Sequence, residues 1–401
     1  MARDILVRGW RFIPHSYAVV CQYLCLELLR RGSGLRLYFE DVPYHNPGWQ
    51  PATGIFGAEG DAALRSIPPP PAGFTAGAEI RFGFPLDLVR PGRASRTIVF
   101  GTSEHMYVPR TNVDGGVPVD QAQRRHDFTI LTCSNWSKQG FVRSGVAAEV
   151  VQVLPLGFDP EVFRPATPGQ RAQTRSELGF APDDFVFYQA GAMTDNKGLR
   201  FLLPAFARLL RERPHARLLL KGMDALYDSQ QHFEKQFHKL DPQLARAAIG
   251  RLSYLRAQLS FADMARMYQA ADCYVSPYLA EGFNLPVLEA AACGLPVICT
   301  GGGSTDDFVA PEFALKISSK LRPLVVEGVP EAMGLLPDSE HLLQLMRRAT
   351  DDAAFRASAR DAGPRYVRER FTWAKFADRL LPFLLTGAVP AAPAPADFSA
   401  P

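Results

Sequence analysis

Nothing in the chain is long and apolar enough to cross a bilayer: no hydrophobic run approaches about eighteen residues, so any membrane contact is expected to be peripheral. A broad basic surface is missing too. Lys and Arg number 44 against 41 Asp and Glu, a net charge of +3, without the electrostatic footprint of a nucleic-acid binder. Cysteine is sparse, with six residues scattered at positions 21, 25, 133, 273, 293 and 299. Cys21 and Cys25 stand four apart on an expected helix, yet no second Cys or His pair stands at zinc-site spacing. Several thiols fall inside apolar stretches, where they act as small hydrophobes. The expectation is a reduced protein of the cytoplasm, touching at most the inner face of a membrane. Met-Ala-Arg-Asp-Ile-Leu-Val reads as the start of a strand rather than as a signal peptide. Gly301-Gly-Gly-Ser304 lacks the dinucleotide pattern and follows a late strand.

What is present is a strand–helix alternation over 401 residues, enough for two ordinary domains, with 47% apolar residues. Ile5–Gly9 reads as a strand, Ser16 as the cap of a helix running to about Arg31, and Leu35–Glu40 as the next strand. Residues 41–96 read as loop-rich, with Asp41–Trp49 an exposed loop at a strand end and Pro68–Pro71 a stiff spacer. Loops at the carboxyl ends of strands build sites in open sheets, so this region is the candidate for contacts to a second ligand. Strands follow at Thr97–Phe100, Asp127–Cys133 and Val150–Leu154, and Ser134 caps a helix from Asn135 to Ser144. The run Pro165–Arg175 reads as a linker. Beyond it, Asp184–Ala190 and Arg217–Lys221 read as strands, and Met223–Ala248 as a polar helical stretch without evident chemistry.

The densest signal is Tyr278–Thr300. Asn284 suits a helix N-cap, Pro286 a first turn and Gly294 a stop, giving a helix over about Leu285–Cys293 and a buried strand over Leu295–Cys299. Glu281 then lies in the loop before the helix and Glu289 inside it. Unpaired N–H groups at a helix start suit phosphate, whereas carboxylates repel phosphate and suit sugar hydroxyls. The stretch therefore reads as a nucleotide-sugar site.

Glu281 and Glu289, with seven residues between them, Gly282-Phe283 after the first, Pro286, and the trailing Ala-Ala-Cys-Gly-Leu-Pro-Val, resemble the E-x7-E signature of the retaining group-1 (family 4) glycosyltransferases. Pro155-Leu-Gly157-Phe-Asp159 through Phe163-Arg-Pro165 resembles the run that ends their first domain. The resemblance implies an α/β protein of GT-B architecture, with two facing Rossmann-like doubly wound domains. It places the acceptor-side domain at 1–165 and the donor-side domain at 166–365. A helix over 366–387 (Phe371 onward in the sequence pattern) would cross back to the first domain, followed by a disordered Pro/Ala tail at 388–401.

The same resemblance assigns roles. Glu281 would orient the donor sugar and Glu289 the ribose. Gly191 and Lys197-Gly198 match the donor-phosphate loop, although the usual Arg of that loop is Ala192 here, leaving Lys221 or Arg200 as replacements. Backbone groups of Gly282, Phe283, Asn284 and Leu285 would receive the diphosphate, and those near Tyr254 and Leu255 the base. His105, or its neighbour Glu104, would lie near the sugar or acceptor. The glycine-rich first turn of the family is replaced by Trp10-Arg-Phe-Ile-Pro-His15-Ser16, whose His-Ser pair could substitute.

The reaction implied is glycosyl transfer from a nucleoside-diphosphate sugar to an acceptor hydroxyl with retention. No metal and no cofactor beyond the donor are expected, because Asp306-Asp307 are adjacent and no Asp-x-Asp stands near the proposed site. The acceptor is left open among glycan, lipid-linked and protein hydroxyls. Other chemistry on the same fold, an epimerase or phosphorylase, and a non-catalytic nucleotide-binding relative are the alternatives.

Overall fold

The computed structural model describes residues 3–32, 34–126 and 128–388. Two compact units emerge. The first takes Met1–Gly157, Pro323–Met333 and the chain from Arg370; the second takes Phe158–Arg322 and Gly334–Glu369. The sequence-based boundary at 165 thus lies eight residues beyond the Gly157 end of the first unit. The tail expected at 388–401 lies outside the described residues apart from Ala388.

The first unit opens with β1 (Arg3–Gly9), α1 (Ser16–Arg31), β2 (Leu35–Asp41), α2 (Gly57–Arg65), β3 (Ala78–Phe82) and β4 (Thr97–Phe100), followed by α3 (Val119–His126), β5 (Thr129–Thr132), α4 (Asn135–Arg143) and β6 (Val151–Val153). Its strands form one sheet in the order β2-β1-β3-β4-β5-β6, with every pair parallel. Parallel sheets are covered on both faces and read as continuous apolar runs, which is why Ile5-Leu-Val and Ile98-Val-Phe were legible. β3 was not. Its Ala-Glu-Ile-Arg-Phe carries two charges that break the run, yet Glu79 and Arg81 are both buried and pair with each other at 2.9 Å. The stretch 41–96 therefore holds a central strand and a helix, not only loops.

Ser134 caps α4 as expected, accepting from the Ser137 N–H. Ser16 does not cap α1. His15 does, its Nδ1 accepting from the Tyr17 N–H at 3.2 Å, and Ser16 is the first helical residue.

The second unit begins with α5 (Pro168–Glu177), where a linker was expected. Thr167 and Gln170 form a reciprocal capping box, and Arg175 on this helix is buried against Asp272 and the Asp184 carbonyl. Then follow β7 (Phe185–Ala190), α6 (Leu199–Leu209), β8 (Ala216–Lys221), α7 (Ser229–Phe237), α8 (Pro242–Ile249), β9 (Leu252–Leu255), α9 (Phe261–Ala270) and β10 (Cys273–Ser276). The unit continues with α10 (Leu285–Ala292), β11 (Val297–Thr300), β12 (Ala314–Ile317), β13 (Ser319–Pro323), β14 (Met333–Pro337), α11 (Ser339–Asp351) and α12 (Ala353–Arg370). Six strands form a second parallel sheet, β12-β11-β10-β7-β8-β9, and β13 pairs with β14. Phe187, Leu202, Phe206, Leu218, Val275, Ile298, Leu342 and Met346 close its core.

The last helix, α13 (Trp373–Thr386), belongs to the first unit. It packs on α1, with Trp373 stacked on Tyr23 at 4.8 Å and Arg31 donating to Asp378. Gly157 makes the return possible, since a Cβ there would lie 2.4 Å from the Thr372 carbonyl carbon. All six cysteines are buried and free. Among the described residues no helix is long and apolar enough to cross a membrane.

Candidate functional site

In the second sheet β7 lies between β8 and β10, so the strand order reverses there. Loops leaving the carboxyl ends of two strands that run outward in opposite directions part from each other, and the crevice they leave is where open α/β sheets bind ligands. The Gly191–Gly198 loop leaves β7 and the Pro277–Asn284 loop leaves β10. The two predicted signatures, some ninety positions apart in sequence, are thereby neighbours.

The loops are tied together by their backbones. Leu279 N–H donates to the Asn196 carbonyl at 2.7 Å, the Asn196 amide donates to the Ala280 carbonyl at 3.0 Å, and Gln189 holds the Lys197 carbonyl at 2.8 Å. Gly198 is required twice over. Its φ is +76°, and a Cβ would lie 1.9 Å from the Pro277 carbonyl oxygen. This close approach brings the Lys197 Nζ to 2.5 Å from the Glu281 Oε1, both side chains largely buried. The two residues assigned to opposite partners, phosphate and sugar, thus hold each other.

Four consecutive residues, Gly282 to Leu285, run into α10. Phe283 stacks on Phe308 at 4.6 Å and its carbonyl accepts from Ser304. Asn284 stands at the cap position but does not cap. Its φ is +81° and its side-chain amide donates to Ser276 Oγ at 2.9 Å, which fixes the loop to the end of β10 instead. Asn tolerates this left-handed conformation better than most residues, a second reason for it here. The Asn284 side chain therefore does not cover the N–H groups that open α10.

Glu289, one turn in, is buried in an aromatic layer and accepts from the Tyr268 hydroxyl at 2.7 Å. Burial lifts its carboxyl to about 7, against the downward pull of that hydrogen bond. Tyr268 packs edge-on against Tyr188 at 5.1 Å. Tyr268 was missed in the sequence because its spacing to Glu289 follows from the packing of α9 on α10, not from any local period.

Tyr254 and Leu255 lie on edge strand β9, two strands from β7. The Leu255 carbonyl accepts from the Gly222 N–H at 3.1 Å. Tyr254 stacks on Phe233 and donates to Asp224 at 3.0 Å. Burial and the Asp224 carboxylate both push its phenol pKa up, so it stays a neutral donor.

Ala192 is buried where the family's Arg would stand. Of its two suggested replacements, Arg200 is exposed with its guanidinium over the Phe201 ring. Lys221, at the carboxyl end of β8, is buried and donates to the Gly222 carbonyl. Burial pushes its ammonium pKa down, with Asp224 opposing. His105 and Glu104 lie in the loop after β4, in the first unit. The His105 carbonyl accepts from Met333 and the Glu104 carbonyl from Trp136. In the first turn His15 offers no cation, since burial, assisted by His45, lowers it to about 4 and its Nδ1 is occupied as a cap, and Arg11 is paired with Asp41. Among the described residues one group could hold a metal ion, Asp183, Asp184 and His215. It lies at the amino ends of β7 and β8, away from the site, and Asp184 is held by Arg217 and Arg251.

The family model described as "Glycosyl transferases group 1" matches residues 184–323, the span that carries both loops. The second unit carries a group 1 glycosyltransferase domain. Consistent with that domain, the chain is 30% identical over 57% of its length, and 54% of the relative's, to a GDP-mannose-dependent monoacylated alpha-(1-6)-phosphatidylinositol monomannoside mannosyltransferase of Corynebacterium glutamicum. It is also 30% identical to a D-inositol 3-phosphate glycosyltransferase of Segniliparus rotundus, over 58% of this chain and 46% of that one. The chain spans about half the length of these curated relatives. The fold is GT-B. It matches Anabaena HepE, solved with UDP and glucose, at a TM-score of 0.67 and 15% identity, over 95% of this chain and 99% of that one. The lipopolysaccharide glycosyltransferase WaaG matches at a TM-score of 0.60 and 16% identity, over 96% and 100%.

Proposed function

We propose that the chain transfers a glycosyl group from a nucleoside-diphosphate sugar to an acceptor hydroxyl, with retention of configuration and without a metal or further cofactor. The observation that carries this reading is the Lys197–Glu281 pair at the reversal point of the second sheet, beside a helix start that the Asn284 side chain does not cap. A lysine and a carboxylate held at 2.5 Å store a positive and a negative group where a donor presents a diphosphate and a hydroxylated ring. On donor entry Lys197 turns to the phosphates and Glu281 accepts from the sugar. The N–H groups of Gly282 to Leu285 receive the diphosphate, and Glu289, with one oxygen on Tyr268, keeps the other for the ribose.

Catalysis then consists of stabilising charge as it grows on the departing phosphate, by Lys197 and the helix start. The leaving phosphate takes the proton of the acceptor hydroxyl, so no protein base is needed. The buried Lys221 stands in for the absent arginine. The acceptor is a glycan, lipid-linked or protein hydroxyl; nucleic acid is not a partner. The enzyme works in the cytoplasm, touching at most the inner face of a membrane.

Screening UDP-, GDP-, ADP- and TDP-sugars by thermal shift, followed by a transfer and hydrolysis assay, tests the proposal. At least one donor should raise the melting temperature, as any ligand of the native state does, and be consumed with release of the nucleoside diphosphate. Binding without turnover would favour a non-catalytic relative, and release of an isomerised sugar nucleotide an epimerase.

A further inference from the structure

The first sheet reverses between β1 and β3, and a cavity of about 300 Å³ opens at that point, beyond the carboxyl ends of β1, β2 and β3. This volume is at the low end of the range for small-molecule sites, about 300–1,000 Å³, and suits a single ring. The family match at residues 184–323 does not reach it.

Its floor is two arginines. Arg8 and Arg81 are register neighbours on adjacent strands, and both are buried. Two guanidiniums side by side would make a phosphate seat if they were free. They are not. Arg8 donates to Glu40 at 3.0 Å and to Asp87 at 2.9 Å, while Arg81 is held by Glu79 at 2.9 Å and by three backbone carbonyls. At the rim Arg90 pairs with Asp114 at 3.1 Å, and Arg93 pairs with Glu40. Four arginines thus face four carboxylates, Glu40, Glu79, Asp87 and Asp114, and the cluster is neutral.

To use Arg8 or Arg81, an entering phosphate would have to displace a carboxylate that is buried (Glu79) or partly buried (Asp87, Glu40) and leave it unpaired, which is costly. A neutral polyol has no such requirement. Carboxylate oxygens on Asp87 and Asp114 can accept further hydrogen bonds from hydroxyls, and Arg90 can donate. Aromatic rings supply the wall: Trp10 and Phe84 line the cavity with Tyr44, whose hydroxyl is tied to the Arg11 carbonyl. The His45 imidazole, packed on Phe84 at 4.9 Å, makes no side-chain hydrogen bond among the described residues.

We infer that this cavity binds an uncharged, hydroxyl-rich ring, a sugar or cyclitol without a phosphate. If the glycosyl-transfer reading holds, that ring is the acceptor, so the acceptor unit differs in charge from the inositol 3-phosphate named for several relatives. The term acceptor rests on that reading; the binding itself does not.

The full-length protein is titrated by calorimetry and saturation-transfer NMR with methyl α-D-glucopyranoside, methyl α-D-mannopyranoside and myo-inositol, each beside its monophosphate ester. At least one neutral probe should bind, about tenfold or more tighter than its ester, as expected when a like charge meets fixed carboxylates. Asp114→Asn removes a negative charge and one acceptor oxygen and leaves Arg90 with only the longer pair to Asp87, at 3.8 Å, so neutral binding should weaken and ester binding strengthen. Tyr44→Ala should weaken the neutral probe without favouring the ester. Tighter binding of the esters, no binding of any probe, or indifference to both substitutions overturns the assignment. Failure of the glycosyl-transfer reading is recorded separately, as the absence of any nucleotide sugar that binds or is consumed.

Discussion

The Lys197 ammonium would sit poorly at the start of a helix with no anion, because the first turn carries partial positive charge. Glu281 supplies that anion in the unliganded protein, at 2.5 Å. The pair predicts what its loss does. Lys197→Ala should lower kcat by roughly a hundredfold or more, since its charge is needed most as the phosphate leaves, and removal of one oxyanion-stabilising donor costs about this much. Glu281→Gln should cost turnover more than affinity, and Glu289→Gln the reverse, since the ribose contact is the same in ground and transition states. Kinetics at saturating donor separate the two; changes confined to the donor KM in both variants would contradict this division. Near wild-type turnover in Lys197→Ala would remove it from the site.

Glu289 also predicts a pH dependence. Its folded carboxyl titrates at about 7 because of burial, against an ordinary 4.5, so the folded state keeps a proton that the unfolded chain has released. The stabilisation from this neutral form is complete below 4.5 and is lost as the pH rises toward 7, on the order of 3 kcal/mol in all. His15 acts in the opposite sense: lowered to about 4, it adds stability as the pH rises from 4 to its usual 6.5. Comparing wild type with Glu289→Gln cancels the His15 contribution. Urea unfolding should show the two equally stable near pH 4.5 and the variant more stable at pH 8, although its donor affinity is weaker. Parallel curves for the two proteins across this range would refute the burial argument.

At the level of elements, the hinge between sequence and site is the turn Asp195–Gly198. Gly198→Ala must place a Cβ 1.9 Å from a backbone carbonyl at a φ of +76°. Left-handed backbone alone costs about 1–2 kcal/mol for an L-residue, and the overlap adds to it. The variant should unfold at markedly lower urea and lose the Lys197–Glu281 contact, hence activity; unchanged unfolding would mean the loop yields freely. Elements of this kind were legible because local chemistry dictates them: Gly294 at the end of α10 and Ser134 before α4 end or begin helices by contacts within a few residues. What was not legible depends on distant partners. β3 is a strand because Glu79 and Arg81 find each other, Arg81 finds three backbone carbonyls, and Glu79 accepts from the Arg93 N–H and the Thr97 hydroxyl, and α5 was hidden by its polar composition until Asp272 took up Arg171 and Arg175. Asn284 was placed correctly and given the wrong partner, since Ser276 comes from the preceding strand.

Across the whole chain, two parallel sheets each reverse once, and each reversal carries charged side chains in a different arrangement. In the second unit the charges are one lysine and one glutamate, separable by a ligand; in the first they are four arginines and four carboxylates locked to one another. A diphosphate needs positive charge from somewhere. A divalent cation could supply it, but a cation needs carboxylates turned toward the phosphates; Glu281 holds Lys197 and Glu289 accepts from Tyr268 in the unliganded protein, and on the proposed reading both turn to donor hydroxyls. The group with metal-binding geometry, Asp183, Asp184 and His215, stands at the other end of the sheet with Asp184 already holding two arginines. On the proposed reading the charge on the leaving group is met by Lys197, Lys221 and the start of α10. Turnover should therefore persist in excess EDTA and change little on adding magnesium or manganese, while raised ionic strength should weaken donor binding by screening these cations. Activity abolished by EDTA and restored by manganese would mean that a carboxylate leaves its present partner to hold a metal, and that the lysines alone do not carry the leaving group.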